Sequence, residues 1–456
     1  MKERKALGKH RDLRSSYPSS LRDHNNLYQT SRFEEIEDPT IDDFINDNPT
    51  ISFGIVYFRN IRLKNPNFGF PYISTDRMLN GALSDLDYIS DNGRVLKCTG
   101  QFTLVITDVD LELIMRIYEA DEINIELCLT AEAAPLPKWE ADFIDEYFKK
   151  KSDYKNIVKD LEKALAPEDD IFDANNDLTK VKNMFNAIYG LHAQDPCKAM
   201  LVRDEDSDDI EEEEIDINEE IDRYYGFHKN RFQKSSRGFL PYSVGVWCTA
   251  YSRRKIFSEI FIVCPPSGST SAGRGLYVDT DSLFYLDNEA TEELFEIDNK
   301  RCYDEAIKNG DYITDNKGNI INYNSFTEED EFVRFKFLHS KCYAYEQKTP
   351  EGSKLKVTVA GVAARKLKGM KDGKPDYLYK EEEVKSLERF NDHFTFKECG
   401  STKSGYIKEE LQMVNIDGHM VECGNACIIT PTQKTIKDFG LKQKVYQFEK
   451  MKTGRN

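Results

Sequence analysis

The chain has 456 residues, 39% hydrophobic and 32% charged, with a formal net charge of −18 from 63 Lys+Arg and 81 Asp+Glu. That length can bury a large core in two or more domains, and the composition is globular, with no apolar run long enough to cross a bilayer. The start, through Lys9 and His10, has no signal-peptide core. Ten cysteines at irregular spacings predict reduced thiols in a cytoplasmic protein rather than a disulfide framework.

Net negative charge argues by itself against a nucleic-acid binder. The acid is concentrated, however, in one block from Asp204 to Asp222, which predicts a solvated charged loop, and the flanking stretches are balanced or basic.

Asp12-Leu13-Arg14-Ser15-Ser16-Tyr17-Pro18-Ser19 reads as a strand end turning into a helix, with Pro18 closing the strand and Ser15, Ser16 and Ser19 able to cap the helix. Residues 36–136 are mixed. Ile51–Phe58 and Phe102–Thr107 are short β-like runs, and Val109–Glu119 has helical apolar spacing. Residues 137–191 predict two helices, the first ending in Lys149-Lys150-Lys151 and the second starting near Asp177. On the second, Lys182, Asn186 and Tyr189 share one face, which suits a triphosphate and a stacked base as well as it suits a solvated surface.

Beyond the acidic block a buried helix is expected from Tyr242 to the basic cluster Arg253-Arg254-Lys255, and then a connector from Pro265 to Gly275. Tyr277-Val278-Asp279-Thr280-Asp281-Ser282 places two carboxylates at the turn of an apolar hairpin. Acids so close repel each other unless a cation lies between them or a proton is taken up. Phe335–Tyr345 reads as one strand with Lys341, Tyr343 and Tyr345 on one face, and Val357–Lys368 as a strand running into a basic turn. His419, Cys423 and Cys427 depart from structural zinc spacing, and a hairpin with buried thiols is expected there.

An acidic turn alone is a common pattern; a third carboxylate, Asp12, and a phosphate-binding helix at 182–190 give it meaning. In this order the motifs resemble those of family B DNA polymerases. Asp-x-x-Ser-x-Tyr-Pro-Ser at 12–19 resembles the first palm motif, Lys-x3-Asn-x-x-Tyr-Gly at 182–190 the fingers motif, and Tyr-x-Asp-Thr-Asp-Ser at 277–282 the second palm motif. Lys341-Cys342-Tyr343, the Thr249-Ala250-Tyr251-Ser252-Arg253 segment and two insertions, 36–136 and 191–240, resemble the protein-primed branch of phages and organelle plasmids.

The resemblance implies an α+β right-hand polymerase with an antiparallel palm sheet, helical fingers and a β-rich thumb. Its parts fall at 1–35 (palm, first motif), 36–136 (insertion), 137–191 (fingers), 192–240 (second insertion), 241–335 (palm) and 336–456 (end of palm and thumb). It implies a DNA-templated DNA polymerase of viral, phage or plasmid-type replication. Two magnesium ions about 4 Å apart, replaceable by manganese, would sit on Asp12, Asp281 and the Leu13 carbonyl, with Asp279 in support. Lys182, and second to it Lys151, would neutralise the triphosphate; Tyr17 would exclude a 2′-hydroxyl; Asn186 and Tyr189 would line the nascent base pair; Arg253, Lys341 and Tyr343 would hold DNA. The implied partners are primer-template DNA, dNTPs, a priming terminal protein and a separately encoded exonuclease half.

Ser16 stands where the family has Leu, and Ala187 where it has Ser. The resemblance begins at the first palm motif, which leads to the expectation of no proofreading exonuclease on this chain. The apolar strand that leads into Asp12 in the family is replaced by Ala6-Leu-Gly-Lys-His-Arg11, which predicts that Asp12 loses a support. The competing reading is a catalytically weak remnant, or a split-gene subunit, that binds primer-template DNA or a priming protein.

Overall fold

The strand that carries Asp12 is present despite its polar sequence. The computed structural model describes residues 8–46, 48–78, 87–91, 93–193, 200–203, 210–213, 240–266, 275–371, 374–397, 403–406, 412–416, 419–423, 426–429, 433–436 and 444–447. Two units are distinguished, one of residues 1–193, 241–333 and 448–456, the other of residues 194–240 and 334–447.

The first unit contains, in chain order, β1 (Gly8–Leu13), α1 (Ser16–Arg22), β2 (Thr50–Leu63), β3 (Arg94–Thr107), α2 (Asp108–Ile117), β4 (Glu122–Ala134), α3 (Lys138–Lys163), α4 (Glu168–His192), α5 (Tyr242–Val263), β5 (Gly275–Asp279), β6 (Ser282–Leu286), α6 (Glu289–Asn309) and the start of β7 (Phe326–His339). β1 pairs antiparallel with β6 on one side and β7 on the other, and β5 closes the hairpin with β6. A strand from the start of the chain is thereby held between two that lie far away in sequence.

Lys9 and Arg11 of β1 face acidic side chains and His10 faces a ring, although both ring nitrogens of His10 and Nε and Nη2 of Arg11 are buried without a hydrogen bond. Lys9 Nζ reaches Glu328 at 2.9 Å and Glu292 at 3.0 Å. His10 stacks on Phe284 with ring centroids 4.2 Å apart. Arg11 lies 4.1 Å over the Phe295 ring and 3.5 Å from the fully buried Glu259. The expected loss of support at Asp12 is therefore corrected: ion pairs and ring contacts replace the apolar contacts of an ordinary central strand.

β2 is flanked by β3 and β4, all antiparallel. The alternating burial of β2 gives the sheet one core face, where Phe58 meets Phe102 with centroids 5.6 Å apart. β2 and β3 each run 14 residues, longer than their apolar runs, because the buried Ile61 and Leu63 carry β2 onward beside the buried Val95 and Cys98 of β3, with Ile61 opposite Cys98. α2 begins with a capping box between Thr107 and Asp110.

The helices outrun their sequence limits. α3 continues past Lys151 to Lys163 and α4 begins at Glu168, because Val158, Ala174 and Leu178 form a small core along the hairpin. α5 continues past Lys255 to Val263, carried by the buried Ile256, Ile260 and Val263. Among the described residues no helix is long and apolar enough to cross a membrane.

In the second unit, β8 (Cys342–Thr349) and β9 (Gly352–Val359) form a hairpin over a core that includes Leu338, Val357, Phe390 and Ile436. The expected strand Phe335–Tyr345 is broken at Ser340–Lys341, where β7 ends and β8 begins. Met200–Arg203 pairs with Ile210–Glu213, and the rest of the acidic block lies outside the described residues. His419 and Cys423 belong to a strand paired with Gln412–Ile416, and Cys427 to a strand paired with Lys403–Tyr406.

Candidate active site

Asp12 and Asp281 meet across the β1–β6 ladder. Asp12 is register partner to Ser282, and the Leu13 N–H donates to the Asp281 carbonyl at 2.8 Å. Only Thr280 and Asp281 lie between β5 and β6, a two-residue hairpin loop, which requires a positive φ. Thr280 adopts it at 60°, a costly choice for a β-branched residue. Ser15, at the turn after Asp12, is also left-handed at 57°. Its hydroxyl does not cap α1 as expected; it accepts a hydrogen bond from Lys151 Nζ at 2.6 Å. Both turns that present the acids thus hold non-glycine residues in strained conformations.

The Asp12 carboxyl is pushed up to about 7, first by burial, then by the Asp281 carboxylate, with His10 and Lys151 pulling the other way. Two oxygen-bearing groups that resist losing both protons are a suitable donor set for a divalent cation, whose charge would relieve both burial and repulsion. Asp12 and Asp281 fit such an ion. Among the described residues no three His, Cys, Asp or Glu form a metal-holding group, so carbonyl or substrate oxygens would complete the coordination.

Opposite the acids lies a concentration of positive charge. Lys151 is pushed down to about 8, first by burial, then by Lys155 and Lys182, with Arg14 adding to the effect and Asp12 opposing it. The side chains of Arg14, Lys155 and Lys182 make no hydrogen bond or ion pair among the described residues. Burial pulls the Arg14 guanidinium below its ordinary range. Arg14 and Lys155 did not stand out in the sequence. Their signal was a cation two residues after Asp12 and another one helical turn after Lys151.

Tyr17, from the start of α1, stacks on Tyr189 of α4 with centroids 4.0 Å apart. The Tyr17 carbonyl accepts from Cys248 Sγ of α5 at 3.4 Å, which fixes α1 against the buried helix. Asn186, on the same α4 face as Lys182 and Tyr189, is exposed. Arg253 is already engaged: its guanidinium donates to Asp110 at 2.7 Å and to the Tyr72 hydroxyl at 2.8 Å, tying α5 to the 36–136 region. In the second unit, Lys341 sits exposed in its turn with φ 54°, and Tyr343 is buried against Phe335 at 5.9 Å. Asp279 ends β5, its carbonyl accepting from the Asp281 N–H at 2.6 Å.

No protein-family model matches the chain, and no curated protein matches it. Solved structures do. The fold is similar to that of Phi29 DNA polymerase. Its complex with primer-template DNA matches with a TM-score of 0.51 and 18% identity, covering 93% of this chain and 58% of that one. Its complex with primer-template DNA and incoming nucleotide substrates matches with a TM-score of 0.51 and 18% identity, covering 95% of this chain and 58% of that one. At this identity the likeness to Phi29 DNA polymerase is one of fold, and the chain spans 58% of that protein's length. The mixed helices and antiparallel sheets expected from the sequence agree with it.

Proposed function

We propose that this protein is a DNA-templated DNA polymerase that transfers dNTPs to a primer 3′-hydroxyl in viral, phage or plasmid-type replication. The observation that carries the reading is the meeting of Asp12 and Asp281 on adjacent strands, with Lys151 held by Ser15 within reach of the Asp12 charge and the charges of Lys155, Lys182 and Arg14 gathered around Lys151. Carboxylates that hold cations, facing cations that hold phosphates, suit nucleotidyl transfer. The fold likeness to Phi29 DNA polymerase supports the same conclusion.

In this reading 1–35 and 241–335 form the palm, 137–191 the fingers, and 336–456 the end of the palm and the thumb, with 36–136 and 192–240 as insertions. Asp12, Asp281 and the Leu13 carbonyl hold divalent magnesium, with Asp279 in support. When bound, that metal supplies the charge that acidifies the primer hydroxyl and steadies the leaving phosphate oxygens. Lys182 and Lys151 orient the triphosphate and balance its charge. Tyr17, fixed by α5, sets the floor of the sugar site and excludes a 2′-hydroxyl. Tyr189 swings from Tyr17 to the incoming base, next to Asn186. Lys341 holds the primer-template, and the ring of Tyr343 braces the strand beside it. Arg253 keeps the Tyr72–Asp110 contact and, through it, the angle of α5. A priming terminal protein and a separate exonuclease half are partners of the same reading.

Primer extension with magnesium, comparing the wild type with Asp281→Asn, tests it. The wild type should extend, and the variant should lose at least about a thousandfold in rate while keeping its fold and duplex binding. A wild type that binds duplex DNA and extends no primer would leave a DNA-binding remnant in place of an enzyme.

A further inference from the structure

We propose that the segment 310–324, locked to Arg22, braces α3, and that Arg22 and Asp145 are positioning residues for the triphosphate. Together they fix the helix that carries Lys151 against the turn after Asp12. The role of Lys151 rests on the polymerase reading; the brace rests on contacts within the first unit.

Arg22 closes α1, and its guanidinium is almost fully used. Nε and Nη2 donate to the two carboxylate oxygens of Asp145 on α3, at 2.9 and 3.2 Å. Nη1 donates to Asp311 at 2.6 Å, and Nη2 also to the Gly310 carbonyl at 3.0 Å. Such a two-pronged pairing fixes orientation as well as distance. The Tyr323 hydroxyl donates to the same Asp145 carboxylate at 2.8 Å, and its ring packs on Phe148 of α3 with centroids 4.6 Å apart.

From this junction a hairpin of Tyr312–Thr314 and Ile320–Asn322 follows α3. Asp153 accepts from the Asn316 N–H at 2.7 Å, and Asp160 from Lys317 Nζ at 2.7 Å. Asn156 donates to Asp315 and to the Asn316 side-chain carbonyl, both at 2.9 Å. The hairpin turn is itself held in shape, since Asp315 also accepts from the Lys317 and Asn319 N–H groups at 2.9 and 2.8 Å. Asp145, Phe148, Asp153, Asn156 and Asp160 share one face of α3, which the segment follows for about 22 Å. Ile313 and Tyr323 root it in the core that holds Ile144 and Phe148.

Lys151, two residues before Asp153, lies on the other side of α3 and donates to Ser15 Oγ at 2.6 Å. α1 and α3 are thereby tied at two rungs, Ser15–Lys151 and Arg22–Asp145. The rungs are about 10 Å apart along α1 and about 9 Å along α3, so their spacing matches. The lysine rung is one bond from a flexible stem to a neutral hydroxyl and cannot hold a helix by itself. The arginine rung can. Because the brace is polar and borders solvent, losing it should loosen α3 locally while the apolar cores stay closed.

Hydrogen exchange on the full chain and steady-state primer extension at varied dNTP test the two halves separately. In Arg22→Met, the α3 amides from 145 to 160 should exchange at least about tenfold faster than in the wild type, with those of β1 and β6 unchanged. The KM for dNTP should rise about fivefold with kcat within about twofold, and Arg22→Lys should recover part of both effects. In a Lys151→Gln background, Arg22→Met should add about twofold or less to KM, because it acts through Lys151. Unchanged exchange in α3 would overturn the brace. Faster exchange with an unchanged KM, or a full further rise in the Lys151→Gln background, would overturn the positioning role. A wild type that extends no primer would remove the polymerase reading and the positioning role with it, while exchange in α3 still decides on the brace. Should Arg22→Met fail to fold, Asn156→Ala, which removes two contacts to the hairpin, decides by the same two readouts.

Discussion

Replacing Arg11 by leucine tests how a polar strand came to lie in the middle of a sheet. Arg11 is 5% exposed and Glu259 is 0% exposed, with Nε and Oε2 3.5 Å apart. At an effective dielectric constant of about 20 their attraction is roughly 5 kcal/mol. Burial outweighs it: the Glu259 carboxyl is lifted from 4.5 to about 7, equivalent to about 3 kcal/mol in favour of its neutral form. The sign follows. Between 4.5 and about 7 the folded protein holds a proton that the unfolded chain has lost, so stability falls as pH rises through that window and levels off above it.

Without Arg11 the ionised carboxylate loses its nearest compensating charge. At pH about 8, Arg11→Leu should cost about 3–5 kcal/mol, the usual loss when one partner of a buried pair is removed. At pH about 5, where Glu259 is already neutral, the cost should shrink to about 1 kcal/mol or less. The double variant Arg11→Leu/Glu259→Leu should return to within about 1 kcal/mol of the wild type at both pH values. Urea unfolding of the four proteins at the two pH values measures all of this. Equal losses for the single variant at both pH values, or a double variant as unstable as the single, would refute the account of how β1 is held.

Arg14→Gln should raise the KM for dNTPs about tenfold with a smaller change in kcat, as expected for a cation on the triphosphate; steady-state primer extension at varied dNTP measures it. Thr280→Gly should raise stability by up to about 1 kcal/mol by relieving the left-handed turn, read by urea unfolding alongside the extension rate. Asp108, which accepts from Trp247 Nε1 at 2.9 Å, is pushed up to about 6 by burial. The wild type should therefore lose stability as pH rises from 3.8 through about 6 on this account, and Asp108→Asn should flatten that part of the profile in thermal melts.

Sequence determined what depends on neighbouring residues. The Asp279–Asp281 hairpin could be read because apolar runs flank its turn, and the Lys182–Tyr189 face because helical spacing shows within eight residues. Asp12 at a strand-to-helix junction was equally local. The limits of the elements were less legible. α3 and α4 extend by packing against each other, and the Lys341 turn hides inside a run whose alternation mimics one strand.

Tertiary structure alone decided whether Asp12 meets Asp281. Lys9, His10 and Arg11 look wrong for a buried strand, and only Glu292, Glu328, Phe284 and Glu259, all more than 240 residues away, make them right. The same holds for Arg14 and Lys155, whose meaning lies in the charges they face, and for Arg253, drawn by Asp110 into holding α5. Periodicity reports which face of an element is apolar. It cannot report which distant charge will neutralise a polar one, because that depends on distance and burial once the chain has closed on itself.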